Sequence, residues 1–207
     1  MSEAGRVIAG SARGLRLKAP GEGTRPLADR VKQTLFAILE PDLDGARVLD
    51  LFAGSGAGGI EMLSRGAAHA TFVEKDAGAA KVIGENLVFT RLAARGHIYR
   101  TDALAYLRDH AAADGPFDVV LVDPPYADTD LMAAAMGRLG APEAPLRPGC
   151  WVVAKHFWRT PPPAAVGLLA SVRTRRFGET ALTFYRLGEV QDVTGDHHEA
   201  ELQEAGS

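Results

Sequence analysis

The chain has 207 residues, 46% of them hydrophobic and 24% charged, with a formal net charge of −3. That length suits one α/β domain, and the balance is that of a globular protein rather than a disordered or fibrous one. No apolar run approaches the ~20 residues needed to cross a bilayer, and the first residues have no apolar signal core. Cys150 is the only cysteine, which excludes an internal disulfide and a cysteine-rich zinc site, so the expectation is a cytoplasmic protein.

Three regions follow one another. Residues 1–45 are basic, with seven Lys and Arg against four acids in the first 40. Gly10, Gly14, Pro20, Gly21, Gly23 and Pro26 punctuate them, a spacing that suits an extended arm. Arg6, Arg13, Arg16, Lys18, Arg25, Arg30 and Lys32 make that arm a candidate docking surface for a polyanion.

Residues 46–187 alternate strand-like and helical patterns. Arg47–Phe52 reads as a buried strand, and Gly54–Arg65 as a loop turning into a helix. Ala70–Glu74 is a second strand, and Asp76–Leu92 a helix with Ala79, Ile83 and Leu87 on one face. A strand at His97–Thr101 precedes a helix over 103–112. Asp118–Asp123 contains four consecutive branched apolar residues, the pattern of a strand covered on both faces. A helix near 129–140 leads to a strand at Trp151–His156. Val172–Phe177 and Thr180–Leu187 are joined by a tight turn at Gly178-Glu179, which predicts an antiparallel hairpin. The expected fold is α/β, a mixed seven-stranded sheet that is parallel and doubly wound before its terminal hairpin. Residues 188–207 are polar and acidic, with six acids from Glu189 onward and no Lys or Arg, and are expected to be disordered.

Two strand ends carry chemistry. The first runs into Asp50-Leu51-Phe52-Ala53-Gly54-Ser55-Gly56, where glycines let the backbone turn sharply and approach a ligand. Gly54, Gly56 and Gly59 match G-x-G-x-x-G, and Glu74, 20 residues after Gly54, stands where an acid accepts ribose hydroxyls. A nucleoside cofactor follows, and both NAD and S-adenosylmethionine fit that pattern. Asp50, just before the loop, could answer the α-ammonium of S-adenosylmethionine, directly or through water. The fourth strand decides for the methyl donor. It ends in Asp123-Pro124-Pro125-Tyr126, where a carboxylate and a stiffened carbonyl can accept both N–H bonds of one amino group. Tyr126 offers a flat face for a base to stack on. His69, His97, His110 and His156 are scattered, so no metal site is expected.

These two motifs resemble those of Rossmann-like (class I) amino-methyltransferases of nucleic acids. Arg6-Val7-Ile8-Ala9-Gly10, Arg13-Gly14, Thr24-Arg25-Pro26 and Asp29–Phe36 narrow the resemblance to the bacterial 16S ribosomal RNA guanine-N2 methyltransferases. It continues through Leu63–Ala67, Val73–Asp76 and Asn86-Leu87 to Tyr185-Arg186, so it covers about residues 6–187. The resemblance implies transfer of a methyl group from S-adenosyl-L-methionine to N2 of a guanine in small-subunit ribosomal RNA, within an assembled or assembling subunit. It implies that Asp123, Pro124, Pro125 and Tyr126 are catalytic. Gly54, Ser55 and Gly56 would hold the cofactor, Glu74 its ribose, and Asp102 with Ala103 its adenine edge. The basic arm would then dock RNA. Two residues depart from the family pattern: Leu27 where a Thr is usual after Arg-Pro, and Lys155 where an acid is usual after the fifth strand.

Guanine N2 is a poor nucleophile, its lone pair conjugated with the ring, so orientation and placed acceptors must supply the catalysis. The alternatives are a DNA adenine-N6 or cytosine-N4 methyltransferase, a protein-glutamine methyltransferase, an NAD-binding Rossmann enzyme, and a non-enzymatic RNA-binding protein. The first normally needs an added sequence-reading domain, for which residues 1–45 are too few.

Overall fold

The computed structural model describes residues 3–21, 29–125 and 128–188. In chain order it forms β1 (Glu3–Arg6), β2 (Arg16–Lys18), α1 (Asp29–Leu39), β3 (Arg47–Asp50), α2 (Ala57–Ser64), β4 (His69–Val73), α3 (Ala77–Phe89) and β5 (Gly96–Tyr99). There follow α4 (Ala103–Asp109), α5 (Ala111–Asp114), β6 (Phe117–Val122), α6 (Thr129–Leu139), β7 (Leu146–Phe157), β8 (Ala165–Val166), β9 (Leu169–Phe177) and β10 (Thr180–Leu187). Arg25, Tyr126 and the acidic tail lie outside the described residues.

The branched run of β6 explains the layering. Val119 and Leu121 point into one core and Val120 and Val122 into the other, all buried. Such a strand gains ~1.5–3 kcal/mol for each side chain only if both faces are covered. Helices on the two faces do that, with Ile60 of α2 and Ile83 of α3 in the first core and Met136 of α6 in the second. The strand order is β5-β4-β3-β6-β7-β10-β9-β8, parallel from β5 to β7 and antiparallel from β7 onward. The chain therefore reverses its direction of winding between β3 and β6, which opens a crevice above their carboxyl ends. Ala79, Ile83 and Leu87 form the buried face of α3.

Two expectations need correction. Among the described residues the main sheet has eight strands, not seven, because Ala165-Val166 adds an edge to β9. Two residues are too few to leave a periodic signal. The described residues before α1 do not form an extended arm either. β1 and β2 pair antiparallel, and Ala4, Val7, Ala12 and Leu17 enter the same core as Val48 and Ile60. Glu61, buried in α2, anchors this ribbon by accepting from Ile8 N (2.8 Å) and Ala9 N (3.0 Å). Gly10, at φ +81°, passes so close to Ser64 that a Cβ would sit 1.8 Å from its carbonyl oxygen. The boundary drawn near residue 45 is thus not a packing boundary.

Candidate active site

The parallel strands bring their carboxyl ends to one edge, and the sites read from sequence meet there. The loop after β3 is shaped first by the backbone. Gly54 (φ +55°) and Gly56 (φ +78°) occupy the left-handed region, which costs any residue with a Cβ. Gly56 caps α2, and a Cβ on Gly54 would meet no protein atom within 4 Å. The loop thus borders open space.

Glu74, one residue past β4, holds this loop. Its Oε2 accepts from Gly54 N (2.8 Å) and its Oε1 from Asp76 N (2.9 Å). A carboxylate has about four acceptor positions, so two remain for a diol. Ser55 is fixed from the other side, its carbonyl accepting from Asn86 Nδ2 (2.9 Å). Asn86 is buried and also exchanges two hydrogen bonds with the backbone of Lys18, so it ties ribbon, helix and glycine loop together. Its position in the family resemblance was legible; this tie was not.

Asp50 is buried at 4% exposure, with Oδ2 accepting from Gly59 N (2.8 Å). Burial pushes its carboxyl up to about 7; the Gly59 N–H opposes this, and the Asp123 and Glu74 carboxylates add to it. The third glycine of the fingerprint therefore serves packing: a Cβ on Gly59 would lie 2.3 Å from the Phe72 ring. Asp102 caps α4, its Oδ1 accepting from Leu104 N (2.9 Å) and Ala105 N (3.3 Å). It lies beyond β5, the strand next to β4. The Ala103 side chain turns into the core.

Asp123 leaves the end of β6 and meets Lys155 of β7. The Lys155 ammonium donates to Oδ1 at 2.8 Å and to Oδ2 at 2.7 Å, with side-chain exposures of 17% for Lys155 and 29% for Asp123. Burial raises the Asp123 pKa, while the charge and hydrogen bond of Lys155 pull it down. The lysine that departs from the family pattern is therefore a partner of the candidate catalytic carboxylate. Pro124 is buried and Pro125 exposed. Of the two proline carbonyls, Pro125 O accepts from Asp128 N (2.9 Å) in the turn that caps α6, which leaves Pro124 O as the stiffened carbonyl acceptor among the described residues. Beside the motif lies a largely apolar cavity of about 280 Å³, lined by Pro124, Pro125, Lys155, Phe157 and Pro161–Pro163 among others.

The N-terminal cations do not all face solvent. Lys32 is fully buried and donates to Arg6 O (3.0 Å), so it cannot meet a polyanion, and the docking role read for it is corrected. Arg6 pairs with Asp29 (3.0 Å), Arg16 with Glu3 (2.6 Å) and Lys18 with Glu85 (2.7 Å). Arg13 and Arg30 are exposed, with no ion pair to a described residue.

Comparison with known proteins agrees with this fold. Residues 5–186 match the model of the family described as Conserved hypothetical protein 95. The chain is 38% identical over 182 residues to the Bacillus subtilis protein named "Putative rRNA methyltransferase YlbH", covering 87% of this chain and 98% of that one. It is 42% identical over 122 residues to the Escherichia coli ribosomal RNA small subunit methyltransferase D, 58% of this chain and 60% of that one. Among solved structures, the Escherichia coli protein described as "Putative methyltransferase yhhF" superposes with a TM-score of 0.80 at 29% identity, covering 90% of this chain and 99% of that one. Its fold is accordingly the Rossmann-like one of S-adenosylmethionine-dependent methyltransferases, and the chain belongs to the Conserved hypothetical protein 95 family.

Proposed function

We propose that this protein transfers a methyl group from S-adenosyl-L-methionine to the exocyclic N2 of a guanine in small-subunit ribosomal RNA, acting in the cytoplasm on an assembled or assembling subunit. The observation that carries the reading is Asp123-Pro124-Pro125 at the end of β6, one strand from the glycine loop after β3 and two from Glu74 after β4. The names of the relatives support the ribosomal substrate.

The residues present fit the cofactor. Open space borders Gly54, Glu74 keeps acceptor capacity for a ribose, and Asp102 stands beyond the neighbouring strand. Asp50, with Oδ2 engaged by Gly59 N, keeps its other oxygen as an acceptor for an α-ammonium. Bound there, S-adenosylmethionine supplies a methyl group made electrophilic by its sulfonium. The chain's own part is to orient and polarise the amine. Asp123 and the Pro124 carbonyl accept the two N–H bonds of N2, which turns the nitrogen lone pair toward the methyl. Lys155 occupies one acceptor position on each Asp123 oxygen and favours the ionised carboxylate against the effect of burial. After transfer the methylated amine bears positive charge and loses one N2 proton to solvent water. Tyr126, outside the described residues, is proposed to stack on the guanine, and Arg13, Arg25 and Arg30 to meet RNA phosphates.

The test is methyl transfer from labelled cofactor to small subunits, naked ribosomal RNA, DNA and protein acceptors, followed by mapping of the modified base. Label recovered as N2-methylguanosine from small-subunit RNA is the expected result. Label confined to DNA or protein overturns the reading.

A further inference from the structure

We propose that the catalytic edge carries an RNA-docking surface that crosses the end of β9 beyond its pairing with β8, with Trp158 and Arg159, just after β7, and Arg176 on one face of that strand and Arg173 and Arg175 on the other. The inference rests on the RNA substrate proposed above and adds a contact region that the basic N-terminus does not contain.

Its placement follows from the register. β7 runs parallel to β6, so its end, Phe157, lies at the edge where Asp123 emerges. Thr180 pairs with both Phe157 and Phe177, which brings the end of β9 to that same edge. Phe157 and Thr160 line the cavity beside Pro124-Pro125, and Trp158-Arg159 lie between them in the chain. Trp158, Arg159 and Arg176, which stacks on the Trp158 ring, therefore adjoin the candidate base-handling site, while Arg173 and Arg175 point to the opposite face of β9, on the side of Leu182 and Phe184.

Its charge is unbalanced. Arg159, Arg173, Arg175 and Arg176 are exposed, and none forms an ion pair with a carboxylate among the described residues. The N-terminal cations Arg6, Arg16 and Lys18, by contrast, each hold an acid. Four unneutralised guanidiniums repel one another, and a polyanion is the partner that removes that repulsion.

Its geometry is prepared. The Arg176 guanidinium lies 3.5 Å from the Trp158 ring centroid and its Nε donates to Gly178 O (2.9 Å), while Arg159 approaches the same ring at 4.9 Å. Stacking and the backbone bond fix Arg176 before any ligand arrives, so little rotamer freedom remains to be lost on contact. Arg186 shows the other arrangement. It stacks on Trp151 at 3.6 Å but is also paired with Asp42, which completes its charge within the protein. Guanidiniums beside an indole suit RNA in particular, phosphates going to the first and an unstacked base to the second.

The experiment compares wild-type protein with the Arg159→Ala/Arg175→Ala/Arg176→Ala variant, using purified small subunits and naked ribosomal RNA between 50 and 200 mM salt, roughly the range over which phosphate contacts are read out. Each phosphate contact contributes about 0.7–0.9 to the slope of log affinity against log salt, so the variant should flatten it by about 2–3. KM for the ribosomal substrate should rise at least about tenfold with kcat kept at saturation, and calorimetric affinity for S-adenosylmethionine should be unchanged. The corresponding triple Arg→Lys variant should keep the slope, since the charges remain. Wild-type KM and slope in the alanine variant overturn the surface while leaving the methyltransferase reading intact; a wild-type protein that methylates no RNA overturns that reading instead. A variant impaired on subunits but unaltered in binding naked RNA at every salt concentration assigns the surface to a ribosomal protein and overturns RNA docking.

Discussion

The two carboxylates at the edge of the sheet, Glu74 after β4 and Asp123 after β6, are restrained in opposite ways. Glu74 is held by backbone: two amide N–H groups, one of them 20 residues upstream in the glycine loop, donate to its oxygens. Asp123 is held by a side chain, the Lys155 ammonium, from the neighbouring strand. A backbone-held carboxylate is fixed by loop geometry and stays in place whatever the neighbouring side chains are. A carboxylate held by an ammonium depends on one residue, which sets both its orientation and its ionisation. The proposed cofactor half of the site is thus held by backbone, and the proposed substrate half by a replaceable side chain.

Replacing Asp123 should break this arrangement most severely. Asp123→Ala should lower methyl transfer at least about 100-fold, some 2.7 kcal/mol in barrier, with cofactor affinity nearly unchanged by calorimetry. A variant that keeps more than about a tenth of the wild-type rate removes Asp123 from the centre of the mechanism. The Asp123→Ala/Lys155→Met double variant guards against misfolding around an unpaired lysine. If Lys155 acts through Asp123, the double variant loses no more activity than the single one.

Glu74→Ala should come next and act on the other half. Loss of a charged acceptor, worth about 1.5–3 kcal/mol per hydrogen bond, should weaken S-adenosylmethionine binding roughly 10- to 100-fold. Transfer at saturating cofactor should fall far less. An equal fall in both would mean that Glu74 is needed for chemistry as well as binding.

Lys155→Met should have the smallest effect at high pH and the most informative pH profile. Lys155 pulls the Asp123 pKa down against burial, so removing it lets that pKa rise. Activity that requires ionised Asp123 is then lost at higher pH than in the wild type, and the acidic limb of kcat moves upward. The loss should be largest at the acidic end of the profile and shrink toward pH 9. Lys155→Arg should restore the wild-type limb. A uniform loss at every pH would make Lys155 a packing residue.

Much of the fold was legible in the residues because its signals are local. The buried run of β6, the α3 face at Ala79, Ile83 and Leu87, and the turn at Gly178-Glu179 each lie within one element or one hairpin. Gly54 and Glu74 were legible for a related reason: a βαβ unit fixes their separation, so spacing along the chain stands in for distance. The N-terminus misled because periodicity was absent and charge was present. Arg6, Arg16, Lys18 and Lys32 read as one basic arm, yet three of them are ion-paired and the fourth is buried.

What the sequence determined by itself is the strand–helix alternation, the glycine loop with its acid, and the Asp-Pro-Pro-Tyr exit, all set by backbone preferences acting over a few residues. What only the tertiary structure decided is which charges remain for a ligand. Asp123 and Lys155 are 32 residues apart in the chain and 2.7 Å apart in space. Arg159 and Arg176 converge on Trp158 only because β7, β10 and β9 pair in one register. A charge count sums every cation alike. Coulomb energy falls with separation, and pairing or burial can cancel a cation's reach, so its availability follows from the folded geometry.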